Sequence, residues 1–99
     1  MNEYEKLVQA DMRLVILRLL AQDPDYSHNE YVLRAALKQL GHSTSYDRLR
    51  TELSWLAEQG LVGTVDTAGV LVVKLTARGR DAAEGAVIVP GVKRPEPEL

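Results

Sequence analysis

A mainly α-helical domain with one small β-hairpin is the fold this sequence predicts, and three observations predict it. Apolar residues recur at helical spacing in three successive segments before Gly60, and the second and third of these meet at a short turn containing Gly41. After Gly60 the period changes to two short β-branched-rich runs, separated by Asp66-Thr67-Ala68-Gly69. Ninety-nine residues, 45% of them hydrophobic, suffice for one domain with a single modest core and are too few for two.

The first helix runs from about Glu3 to Gln22 on Leu7, Val8, Met12, Val15, Ile16, Leu19 and Leu20, and ends where Pro24 disfavours helical backbone at Asp23. Leu14 and Leu17 fall outside the face made by Val8, Met12, Val15, Ile16 and Leu19. A helix apolar on two sides is buried on two sides, which predicts a homodimer through this helix, with Ala86 to Val89 contributing. Ser27-His28-Asn29-Glu30 has the Ser-x-x-Glu form of a capping box and opens the second helix, in which Leu33, Ala36, Leu37 and Leu40 follow at i, i+3, i+4 and i+7 and which ends at left-handed Gly41. Ser43 or Thr44 caps the third helix, whose Leu49, Leu53 and Leu56 face inward and which stops at Gly60.

The hairpin follows, Leu61 to Val65 and Val70 to Leu75 around a four-residue connection. Thr76 caps a last short helix, Ala77 to Glu84, weakened by Gly79 and terminated by Gly85. The domain is thus expected over residues 1–85. Residues 86–99, with Pro90, Pro95 and Pro97, read as an extended tail, mobile beyond Pro90 or held only by a partner.

The order helix, helix, helix, hairpin, helix is that of a winged helix-turn-helix. The hairpin exit LVVKLTARGRDAAEG resembles the Leu-Thr-x-x-Gly-Arg turn that closes the wing in many bacterial winged-helix regulators. The tail VPGVKRPEPEL, with the helix pattern over nearly the whole chain, is similar to a family of small winged-helix proteins encoded in Mu-like transposable phages and prophages. That resemblance implies a phage-derived bacterial protein with a winged-helix fold, and it brings no functional residues with it.

A chain of net charge −2 is no indiscriminate polyanion binder, but its charge is uneven. Residues 1–33 carry three basic and six acidic side chains, and residues 51–99 five and seven. Residues 34–50 carry four basic (Arg34, Lys38, Arg48, Arg50) against Asp47 alone. On the third helix, Thr44, Asp47, Thr51, Ser54 and Glu58 point outward with Arg48 and Arg50 on the flanks. In a DNA reader Thr44, Ser45, Arg48 and Thr51 would meet bases, and Arg34, Lys38, His42, Arg50, Lys74, Arg78 and Arg80 would meet phosphates. The expected partners are therefore double-stranded DNA and a second copy of the chain. The alternative is a protein-interaction module binding a phage or host protein, which Asp47 and Glu58 on the third helix and the cation-free hairpin tip favour.

Other classes lack their residues. The chain has no cysteine, so neither a disulfide framework nor a thiolate nucleophile is available, and two histidines alone do not make a zinc site. No glycine-rich phosphate loop or nucleophile elbow occurs, and Asp23 with Asp25 reads as a turn, so neither an enzyme nor a cofactor or metal is expected. His28 and His42 read as solvated, and Trp55 and the four scattered tyrosines as core-edge packing. The longest apolar run, Leu14 to Ala21, is interrupted by Arg18 and far short of the roughly 20 residues of a membrane span; no signal-peptide pattern opens the chain, so a cytoplasmic location is expected.

Overall fold

Four helices and a three-stranded antiparallel sheet make up the computed structural model, which describes residues 1–97. In chain order they are α1 (Glu3–Gln22), β1 (Ser27–Asn29), α2 (Glu30–Gln39), α3 (Tyr46–Glu58), β2 (Val62–Thr67), β3 (Val70–Leu75) and α4 (Ala77–Glu84). The expected succession of helices and hairpin is present, yet the architecture is α plus β rather than mainly α, because β1 joins the hairpin in the order β1-β3-β2.

The extra strand follows from how the first turn ends. Asp23 ties the turn by accepting from the Asp25 amide at 3.0 Å, and Tyr26 then takes a left-handed φ of 56°. This aims the Tyr26 carbonyl at the Leu75 amide, 2.8 Å away, and Ser27, His28 and Asn29 pair with Lys74, Val73 and Val72. A helix N-cap has extended backbone, so a strand can run straight into a helix. Asn29 fills both roles, its side chain accepting from the Val32 amide at 3.0 Å. The capping box expected from Ser27 therefore does not form, and the Glu30 carboxylate goes elsewhere. The cap of α3 also falls later than expected, at Ser45 in place of Ser43 or Thr44, with Ser45 Oγ accepting from the Arg48 amide at 3.0 Å.

The hairpin connection is tighter than the sequence suggests. Thr67 pairs with Val70, leaving Ala68 and Gly69 as a two-residue loop with φ of 52° and 85°, the two positive values that match strand twist in a type I′ turn.

Ile16, Leu17 and Leu20 of α1 form the centre of the core, with Leu33 and Leu37 from α2, Leu49, Leu53 and Leu56 from α3, and Leu61 and Val73 from the hairpin region. Leu14 and Leu17, the residues that pointed to a partner subunit, are both buried within the single chain, where α1 packs against α2, β3 and α4. The two-sided apolar character of α1 is thus met without a second copy. Gly79, expected only to weaken α4, is what lets α4 approach: a Cβ there would collide with the Leu61 carbonyl oxygen and come within 2.7 Å of Leu75.

The tail folds back instead of trailing away. Val89 is buried, and Val87 and Val92 pack against the core. The Lys93 amide donates to the Ala10 carbonyl at 3.1 Å, and Arg13 donates from Nη1 to the Gly91 carbonyl at 3.1 Å. Gly91 has a φ of 94° and lies so close to Trp55 that a Cβ would come within 2.9 Å of the indole. The mobility expected beyond Pro90 therefore does not hold for Gly91 to Lys93; residues 98 and 99 of that expectation lie outside the described residues.

Candidate nucleic-acid interface

The α2–α3 junction opens a cleft of about 530 Å³ between Tyr31, Arg34, Ala35 and Lys38 on one wall and Ser43, Thr44, Ser45 and Tyr46 on the other. Helical spacing places Tyr31, Arg34, Ala35 and Lys38 on the side of α2 opposite its buried Leu33 and Leu37. Arg34 is held over the cleft: Nε donates to the Thr44 carbonyl at 2.7 Å and the guanidinium lies 4.4 Å from the Tyr46 ring centre. Tyr46 meets Tyr31 edge to face at 5.4 Å, a pairing that the scatter of tyrosines in the sequence did not announce. Lys38 is exposed, and its side chain has no partner among the described residues. Two cations and no carboxylate line this cleft in a chain whose acids outnumber its bases.

Four of the sequence candidates, Arg34, Lys38, Thr44 and Ser45, thus come together, and Arg48 lies one helical turn further on. Its Nε donates to Glu52 at 3.3 Å while the side chain stays 48% exposed. Thr51 is exposed, with Oγ1 donating to the Asp47 carbonyl at 3.0 Å. Lys74 projects from the outer side of β3, exposed and likewise without a side-chain partner among the described residues.

The other candidates lie away from this cleft or are engaged inside the protein. His42, expected to be solvated, is turned into the protein: Nε2 lies 2.7 Å from Asp11 on α1 and only 9% of the side chain is exposed. Burial pushes the Asp11 carboxyl up, but the hydrogen bonds from His42 and Lys93 outweigh it and hold the group below its ordinary value. His28 similarly places Nδ1 2.8 Å from Asp23. Arg78 donates to the Gln59 carbonyl at 3.0 Å, at the far end of α3 and about 20 Å from the cleft at 1.5 Å per helical residue. Arg80 pairs with Glu84 at 3.1 Å on the same helix, α4.

Arg50 is the largest correction. Instead of reaching out from the flank of α3, its Nε and Nη2 donate to both oxygens of Glu30 at 2.8 and 2.7 Å, and Nη2 also reaches the Gly69 carbonyl at 3.0 Å. Glu30 accepts from the Leu71 amide as well, at 2.6 Å, so a side chain continues the β1-β3 ladder where the backbone of β1 has turned into α2. The Arg50 hydrogen bonds depress the Glu30 carboxyl below its ordinary value although burial opposes this. The pair links the hairpin loop to α3. On the opposite side of α3, Glu52 accepts from Arg13 Nε at 2.8 Å, Gln9 at 2.9 Å and Arg48, with Arg13 stacked 3.7 Å from the Trp55 ring centre. These two glutamates and Arg13 set the shape of the site; the sequence reading marked Glu30 only as a helix cap and passed over Glu52 and Arg13.

One relative decides the family. The protein gp26 of Escherichia phage Mu, itself uncharacterized, is 47% identical over 91 residues, which cover 92% of this chain and 94% of gp26. The chain belongs to the family of Mu gp26. An uncharacterized protein of Haemophilus influenzae is 40% identical over 77 residues, 76% of this chain and 74% of its own length. No protein-family model matches. Among solved structures, the complex structure of hsRosR-S4 superposes with a TM-score of 0.62 at 22% identity, over 73% of this chain and 62% of the other. That of hsRosR-S1 gives 0.65 at 20%, over 81% and 70%. This gp26-family chain therefore spans less than two thirds of the hsRosR-S4 chain, and at such identities the likeness is one of fold. Among the described residues no helix is long and apolar enough to cross a membrane.

Proposed function

We propose that this gp26-family protein is a winged-helix protein that binds duplex DNA in a phage regulatory setting, with α3 directed at the major groove and α2 along the backbone. The observation that carries this reading is the acid-free cleft with Arg34 and Lys38 at the α2–α3 junction of an otherwise acidic chain. Phosphate contacts dominate DNA affinity and need unpaired cations, which Lys38 and Lys74 are among the described residues. The likeness in fold to hsRosR supports the same reading.

The test is a fluorescence anisotropy titration against random duplex at low and moderate salt. Each phosphate neutralised contributes about −0.9 to the slope of log affinity on log salt, so Lys38→Ala and Arg34→Ala should each lower that slope by about one. Arg50→Ala should change it far less, because Arg50 already serves Glu30. Absence of binding at low salt would leave the second reading, a protein-interaction module, which is favoured by the exposed Asp47 and Glu58 on the outer face of α3.

A further inference from the structure

We infer that the protein takes duplex DNA of essentially any sequence as its ligand, gripping the backbone and discriminating bases through Arg48 alone. This rests on the DNA-binding reading and narrows it. The bidentate contacts that discriminate bases most strongly in the major groove come from Arg, Lys, Asn or Gln, while Asp, Glu, Ser and Thr add single hydrogen bonds. None of the outward residues of α3, Asp47, Thr51, Ser54 and Glu58, is of the first kind, and two are carboxylates that phosphate repels.

The remaining candidates are already engaged inside the protein. Thr51 gives its only hydroxyl proton to the Asp47 carbonyl, Thr44 gives its own to the Ser45 carbonyl at 3.4 Å, and Ser45 Oγ accepts from the Arg48 amide, so none of the three hydroxyls has a pair of bonds left to fix a base. Arg50 has Nε and Nη2 on Glu30 and Gly69, which removes the paired donors that a guanine needs. Arg48 differs. Like Arg34, it has only Nε occupied, but Arg34 sits on α2 with its guanidinium laid over Tyr46, whereas Arg48 is on α3 and keeps the two terminal nitrogens of a half-exposed guanidinium for the O6 and N7 of one guanine. The hairpin tip, Asp66 to Gly69, has no cation for the minor groove. Backbone contacts thus outnumber base contacts.

One bidentate base contact discriminates by about 5- to 140-fold, the equivalent of about 1–3 kcal/mol at 1.4 kcal/mol per tenfold, whereas specific DNA readers reach 10³–10⁷ over random sequence. The experiment is selection from a random duplex library, then anisotropy competition of the selected against random duplex at one salt concentration, with stoichiometry fixed by analytical ultracentrifugation. The expected result is enrichment of a single G·C pair per bound chain and a preference below about 200-fold. Arg48→Lys, which keeps the charge but not the planar fork of paired donors, should reduce that preference to about one while random duplex still binds within a few-fold of wild type. A selected site with several fixed base pairs per chain, bound more than about 1,000-fold better than random, would overturn the inference while leaving DNA binding intact. So would a preference that survives Arg48→Lys. No binding to any duplex removes both the inference and the reading beneath it.

Discussion

Glu30 and Glu52 are each 1% exposed and each is met by an arginine from another helix, yet the two nodes are built differently. At Glu52 the arginine is sealed as well: the Arg13 side chain is 10% exposed, covered by Trp55 and tied to the tail through Gly91. At Glu30 the arginine stands at the surface, with 43% of the Arg50 side chain in solvent and its last contact made to the hairpin loop. A pair with both charges out of water has nothing to exchange with. A pair whose cation is half in water can lose that cation to the solvent at modest cost, so the α1–α3–tail node is the rigid one and the α2–α3–hairpin node the yielding one.

The largest expected effect tests the sealed node. Glu52→Ala leaves Arg13 buried without a counter-charge and should cost about 3–5 kcal/mol of unfolding free energy, read by urea denaturation. A loss below about 1 kcal/mol would erase the contrast. Glu30→Ala should cost less, about 1–3 kcal/mol, because the Leu71 amide loses its acceptor but Arg50 can hydrate.

Acid titration should come next in size. Burial pushes Glu52 up, but hydrogen bonds from Gln9, Arg13 and Arg48 outweigh it, so both glutamates lie below the ordinary value of 4.5. A carboxylate depressed on folding contributes stability that is complete above its unfolded pKa and is lost as pH falls through the folded one. The urea midpoint should therefore be flat with respect to these groups above about pH 5 and drop below about pH 4, and Glu52→Gln should flatten part of that drop.

The smallest effect sharpens the yielding node. Ala68 holds a φ of 52° that asparagine tolerates better, so Ala68→Asn should stabilise by about 0.5–1 kcal/mol in thermal melts. An unchanged midpoint would mean that the Arg50 contact to Gly69 already dictates the loop.

Helix order, the Gly41, Gly60 and Gly85 ends, the hairpin and the Arg34–Lys38 face were all legible, since each follows from local periodicity or turn chemistry. The buried charges were legible in part, for the same periodicity contains them. Glu52 completes an i, i+3, i+4, i+7 set with Leu49, Leu53 and Leu56; Arg13 aligns with Leu17 and Leu20; and Glu30 precedes Leu33 and Leu37 at the same spacing. Reading only apolar residues into the core face hid them. The strand before α2 and the burial of His42 were beyond reach, because each depends on a partner far along the chain, Leu75 for Tyr26 and Asp11 for His42. Arg50 looked available for the same reason: its partner is twenty positions away on another helix.

The docking of residues 89–93 on α1 also sets an order of events. Arg13 and Gly91 are 78 positions apart, and Lys93 meets Asp11 across 82. Contacts of such sequence separation close large loops and form late. On the ribosome α1 emerges well before the segment that covers it, and its Arg13 side must wait for the 78 positions to Gly91. Until then a charged, half-apolar helix surface stays open to chaperones, proteases and other nascent chains, and the vulnerable interval in this protein's life is its synthesis.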